Sequence, residues 1–118
     1  MDAQHIDDEQ CRVFRRSVEL AGKKWNAAIL LALSRGADRF SKIIEAVDDL
    51  SDRLLAARLR ELESHGLVAR EVVPTVPVQI FYRLTPAGAD LIAVLSPLVQ
   101  WSQRWDQAPA ARVVTVAG

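Results

Sequence analysis

Between Ser41 and Thr85 the spacing of apolar residues changes from helical to extended, and this change limits what the chain can become. Ile43, Ile44 and Val47 give the inner face of a short helix that Ser41 is placed to cap. Asp48 and Asp49 follow at its C-terminal end, where the helix dipole disfavours negative charge, so the helix should stop there. Ser51 then caps a longer helix with Asp52 in its first turn, a stripe of Leu55, Leu59 and Leu62, and Gly66 at the expected left-handed stop. Beyond it, Val78, Ile80, Tyr82 and Leu84 alternate with Gln79, Phe81 and Arg83, the period of a strand. Val68 to Val73 supplies an antiparallel partner, and Pro74 and Pro77 stiffen the tip between them. Two helices across a tight break, then a hairpin, make a helix-turn-helix followed by a β wing.

The outward face of the longer helix carries the chemistry. At about 100° per residue, Arg53, Ala57, Arg60 and Ser64 lie opposite the leucine stripe. Arginine reads guanine with two parallel hydrogen bonds, and an alanine methyl meets the thymine methyl. Ala56 and Ala57 are small enough to let the helix approach base edges. This pattern predicts a helix that enters the major groove of double-stranded DNA, with Ser51, Arg58 and Lys42 as phosphate neighbours. A solvated helix can also carry arginines, with Glu61 and Glu63 pairing along it. The hairpin directly behind the helix favours the DNA reading.

Helical segments flank this centre. Phe14, Val18 and Ala21 form one face of a helix expected over Cys11 to Ala21, which Gly22 breaks. Trp25, Ala28, Ile29 and Ala32 stripe a second helix ending near Gly36. After the wing, Thr85-Pro86 is a strong helix start, and Ser96-Pro97 predicts a kink or a break into two helices. Leu91, Leu95, Leu98, Trp101 and Trp105 form a seam larger than so small a core can bury. The first and last helices are therefore expected to build a homodimer interface from Phe14, Val18 and that seam. The expected organisation is a mobile acidic arm (1–9), a domain over 10–107 and a flexible tail (108–118). The fold class is mainly α (α+β), a winged helix-turn-helix with N- and C-terminal dimerisation helices.

Composition narrows the function classes. The 118 residues suit one domain, and 15 basic residues balance 15 acidic ones. Asp2, Asp7, Asp8 and Glu9 crowd the first ten positions, so the remainder carries 15 basic against 11 acidic residues, a charge of +4. DNA binding needs phosphate neutralised locally and tolerates this balance. The run Ala27 to Leu33 is too short to span a bilayer and no signal peptide opens the chain, so a cytoplasmic protein without a membrane partner is expected. A lone cysteine, Cys11, excludes an internal disulfide framework. His5 lies in the arm and His65 at a helix end, which is no metal-ligand spacing. With no glycine-rich phosphate loop and no nucleophile beside a base, neither an enzyme nor a cofactor is expected.

From Cys11 to Trp105 the chain resembles the HxlR-type winged helix-turn-helix regulators of bacteria, relatives of the MarR group. The resemblance rests on Cys11, Lys24-Trp25, Arg39-Phe40-Ser41, Ser51-Asp52-Arg53-Leu54-Leu55 and Leu59-Arg60-Glu61-Leu62-Glu63. Gly66-Leu67-Val68 and Tyr82-Arg83-Leu84-Thr85-Pro86 complete it. It implies a homodimer joined through its first and last helices, both recognition helices entering successive major grooves, and a regulator of a kind that often represses, and in some members activates, genes near its own. The chain departs from the family pattern at Lys23, where glycine usually precedes Lys-Trp, and at Arg12, often a proline. In the wing, Gln79 and Phe81 stand where arginine and glutamate are common, leaving Gln79 as the wing's contact position.

Some members of that family respond to oxidants or electrophiles through a cysteine near the N-terminus, which makes Cys11 the candidate redox sensor. Arg12, Arg15 and Arg16 favour its thiolate, while Asp7, Asp8 and Glu9 oppose it. Phe14, Trp25, Trp101 and Trp105 could instead line a site for a small aromatic effector, although aromatics at helical spacing are more often core. The alternative from a different class is a winged-helix module that binds another protein and not DNA.

Overall fold

The computed structural model describes residues 8–106. Five helices and a hairpin follow in the order α1 (Asp8–Gly22), α2 (Asn26–Ser34), α3 (Phe40–Ala46), α4 (Asp52–Ser64), β1 (Val68–Val73), β2 (Gln79–Leu84) and α5 (Pro86–Asp106). The tail expected over 108–118, His5 and most of the expected arm lie outside the described residues.

α2 is the hub. Its sequence, NAAILLALS, is apolar on nearly every side, and it packs against α1, α3, α5 and β2. Ile29 and Leu30 are fully buried, joined by Ile43 from α3, Leu55, Leu59 and Leu62 from α4, and Leu67 and Val68 beyond it. At roughly 1.5–3 kcal/mol for each large aliphatic side chain, this cluster supplies most of the driving force for the fold. No described residue of α1 is buried, and the only buried residue of α5 is Gly88.

Helix ends follow their caps where the cap is local. Leu54 N donates to Ser51 Oγ at 3.1 Å, and Gly88 N donates to Thr85 Oγ1 at 3.1 Å. α3 differs from expectation. It begins at Phe40 with Arg39 as an uncapped N-terminal residue, so Ser41 sits inside the first turn. Phe40 packs against the core, and that tertiary contact sets the start. α1 also begins earlier than expected, since Asp8 and Glu9 occupy its first turn, where acidic side chains suit the dipole. α5 runs unbroken through Pro97, contrary to a split into two helices. Withholding one backbone donor does not end a helix of 21 residues, and Ser96 Oγ donates to Ile92 O at 3.0 Å alongside it.

The hairpin pairs antiparallel from Val68↔Leu84 to Val73↔Gln79. Tyr82 N donates to Asp38 O at 2.8 Å, which docks the outer edge of β2 on the segment before α3. Both ends of the hairpin meet at one junction. Gly66 turns out of α4 with φ +73°, Thr85 Oγ1 donates to Gly66 O, and Thr85 N donates to Leu67 O at 3.0 Å. α5 crosses so closely here that a Cβ on Gly88 would lie 2.1 Å from Leu67 O. Gly88→Ala should therefore destabilise the protein by about 1–3 kcal/mol despite alanine's better helix propensity. Urea unfolding measures this, and an unchanged midpoint would contradict the close approach.

Candidate nucleic-acid interface

The turn between α3 and α4 is compact because Asp49 takes a left-handed φ of 63° between the buried Val47 and Leu50. Burial of Leu55, Leu59 and Leu62 fixes which side of α4 faces inward. Arg53 and Arg60 are consequently exposed on the outer side, with Ala56 and Ala57 half-buried between them. Seven residues separate the two arginines, about 10 Å along the helix axis. This places two forked donors on one exposed ridge with only methyl groups in between, a shape that suits base edges.

The other expected contacts divide. Ser51 is exposed at the N-terminus of α4, its Oγ accepting the cap hydrogen bond and its proton still available to a phosphate. Lys42 is exposed on α3, with Nζ 3.2 Å from Asp38 Oδ1. Gln79 is half-buried where β2 leaves the wing tip, opposite Val73. Arg58 lies apart from these. It points back toward α2, with Nε donating to Lys24 O at 3.2 Å and its side chain largely covered.

One cation escaped the sequence reading. Arg70 on β1 is exposed and, with Ala56, Arg60, Glu63 and its cross-strand partner Tyr82, lines a shallow cleft between α4 and the hairpin. It shares a strand face with the buried Val68, so alternation alone points it toward the core side. The face passes from core to open cleft within two residues, and no local signal marks that edge. On the hairpin's other face Arg83 pairs with Glu71 at 3.7 Å, and the Arg39 guanidinium stacks 4.9 Å from the centre of the Phe81 ring.

The expected dimerisation residues are distributed unevenly. Phe14 is 70% exposed, and Val18, Leu98, Trp101 and Trp105 are each more than half exposed, whereas Leu95 is half-buried and Leu91 is half-buried against the protomer's own core. Cys11 is exposed on the same helix as Phe14. Among the described residues, the cavity that Trp25 lines includes none of Phe14, Trp101 and Trp105. Trp25 packs against the core, in a cavity with Ala28, Leu31 and Val47. A separate apolar cavity of about 170 Å³ lies between α2 and α5, lined by Ala28, Leu31, Ile92, Leu95 and Val99 among others.

A model of the HxlR-like helix-turn-helix matches residues 20–109. The chain belongs to that family. It is accordingly a transcriptional regulator with a helix-turn-helix DNA-binding fold, and the family's members are regulators, not enzymes. It is similar to the HTH-type transcriptional regulator YvaP of Bacillus subtilis, 41% identical over 97 residues that cover 82% of this chain and 90% of YvaP. A MarR-family regulator of Enterococcus faecalis, solved by crystallography, superposes with a TM-score of 0.75 at 31% identity, covering 91% of this chain and 96% of that one. Quinone-bound YodB of Bacillus subtilis superposes with a TM-score of 0.69 at 35% identity, over 80% of this chain and 99% of YodB. Among the described residues no helix is long and apolar enough to cross a membrane.

Behind the exposed ridge, Glu61 accepts from Lys23 Nζ at 2.7 Å and from Asn26 Nδ2 at 3.4 Å. The Lys23 hydrogen bond holds the Glu61 carboxyl below its ordinary value of 4.5, against the opposing pull of partial burial and with help from the Asn26 amide. A folded-state value below the unfolded one means that this stabilisation is complete above the unfolded range. It is lost as pH falls through the folded value. Urea unfolding of wild type and Glu61→Gln across pH should give a constant stability gap near neutrality that closes below pH 4.5. A gap that stayed constant into acid would refute the assignment.

Proposed function

We propose that this regulator is a homodimeric repressor that reads an inverted-repeat operator in double-stranded DNA. The ridge of Arg53, Ala57 and Arg60 on α4 carries the reading: two exposed guanidinium groups on a helix whose roll is fixed by a leucine stripe. Ser51 and Lys42 lie where flanking phosphates would pass, and Arg70 adds a cation from the wing side. The unburied apolar faces of α1 and α5 support pairing of two copies, since Phe14, Trp101 and Trp105 are large apolar side chains each left more than half exposed. A two-fold dimer sets half-site centres about one helical turn apart. Bound across a promoter, it represses by occupancy.

The test is binding of the purified protein to DNA from its own upstream region against scrambled DNA, across salt. Two protomers should occupy each operator, and affinity should fall steeply as salt rises. Arg53→Ala or Arg60→Ala should weaken operator binding by about 1–3 kcal/mol and leave scrambled DNA nearly unaffected. Equal losses on both DNAs would make that arginine a phosphate contact.

A response to electrophiles is the accompanying proposal, favoured by the exposure of Cys11 on α1 and by similarity to YodB, which has been solved diamide-treated and quinone-bound. With one thiol per chain, an oxidised disulfide joins two subunits or captures a small thiol. Quinone or diamide should release wild-type protein from its operator and leave Cys11→Ser bound. Equal release of both proteins would remove Cys11 from the mechanism.

A further inference from the structure

Exposed ion pairs contribute little to stability, about 0–1 kcal/mol, yet the Lys23–Glu61 pair sits within a cluster that joins three helices. Lys23 Nζ donates to Glu61 Oε2 at 2.7 Å across 38 residues of sequence. The fully buried Asn26 donates from one Nδ2 both to Glu61 Oε1 at 3.4 Å and to Leu20 O, near the end of α1, at 3.0 Å. Arg58, three residues before Glu61 on α4, donates to Lys24 O at 3.2 Å. Two positions one turn apart on the recognition helix are thus tied to the α1–α2 turn. That turn contains Trp25 at φ 80°, a left-handed conformation that tryptophan rarely adopts and that surrounding contacts must hold.

A helix gripped at two points one turn apart cannot roll about its own axis. Roll decides where Arg53 and Arg60 point: a rotation of about 20° displaces the helix surface by about 2 Å, enough to spoil a bidentate hydrogen bond. We propose that Lys23 and Glu61 are positioning residues, a latch that takes up the small play in roll left to α4 by its leucine stripe and so aims the arginine ridge. The inference rests on the DNA reading proposed above for that ridge. A glycine at position 23, the usual residue of the family pattern, has no side chain with which to make the latch, so the device belongs to this chain's own sequence.

The latch can be measured without DNA. Spin labels on the native Cys11 and on Ser64→Cys report the distance from α1 to α4, with labelled protein diluted in unlabelled protein so that only distances within one chain are read. The wild-type background should give one narrow distance, Lys23→Met and Glu61→Gln a broadened or shifted one, and Lys23→Arg the narrow one again. On operator DNA, Lys23→Met and Glu61→Gln should bind about two- to tenfold more weakly. Lys23→Arg should bind normally, and binding to scrambled DNA should stay close to wild type in every variant. These two readouts, the distance and the preference for operator over scrambled DNA, separate aiming from a merely structural role, which would weaken both DNAs together. An unchanged distance distribution in both single variants overturns the latch. Wild-type protein that fails to prefer its operator overturns the base-reading account instead, and the distance measurement still decides the latch.

Discussion

The burial of three leucines on one side of α4 is the constraint from which the rest of the molecule follows. Leu55 and Leu62 are wholly inaccessible and Leu59 nearly so, held against Ile29, Leu30 and Ile43. Because a helix has one rotational setting for a given buried stripe, this packing also chooses what the opposite side offers to the outside. The exposed arginine ridge is in this sense a by-product of the core. A substitution that shifts the stripe by one position would turn the arginines away without touching them.

Much of this was readable along the chain because the signals are local. Ser51 and Thr85 cap helices with their own side chains, Gly66 takes the left-handed stop, and both strands of the hairpin emerge within one residue of expectation. What escaped reading is tertiary. α3 starts where Phe40 meets the core and not where Ser41 could cap it. Arg58 has the composition of a phosphate contact, yet it reaches inward to a carbonyl 34 residues away. Arg70 obeys the alternation of its strand but sits where the covered face runs out. The Lys23–Glu61 pair connects segments with no shared periodicity, so neither residue could be distinguished from ordinary surface charge.

Positions where the chain departs from its family pattern acquire partners in the structure. Lys23 stands in place of glycine and finds Glu61; Phe81 stands in place of glutamate and receives Arg39 over its ring face. In the second case the cation faces an aromatic quadrupole, an attraction that needs no second charge. The wing and the segment before α3 therefore stay joined, through this stack and through the Tyr82–Asp38 backbone bond.

The junction of Gly66, Leu67, Thr85 and Gly88 has a consequence for how such a chain can change over generations. The hairpin leaves and re-enters the body at nearly the same point, and backbone bonds close that point whatever lies beyond it. The tip from Pro74 to Val78 is exposed throughout and carries no part of the core. A loop with clamped ends can lengthen or be exchanged at small entropic expense, since closure entropy grows only slowly with length. The wing is thus a cassette: its outer residues can be rewritten while the helices of the body remain as they are.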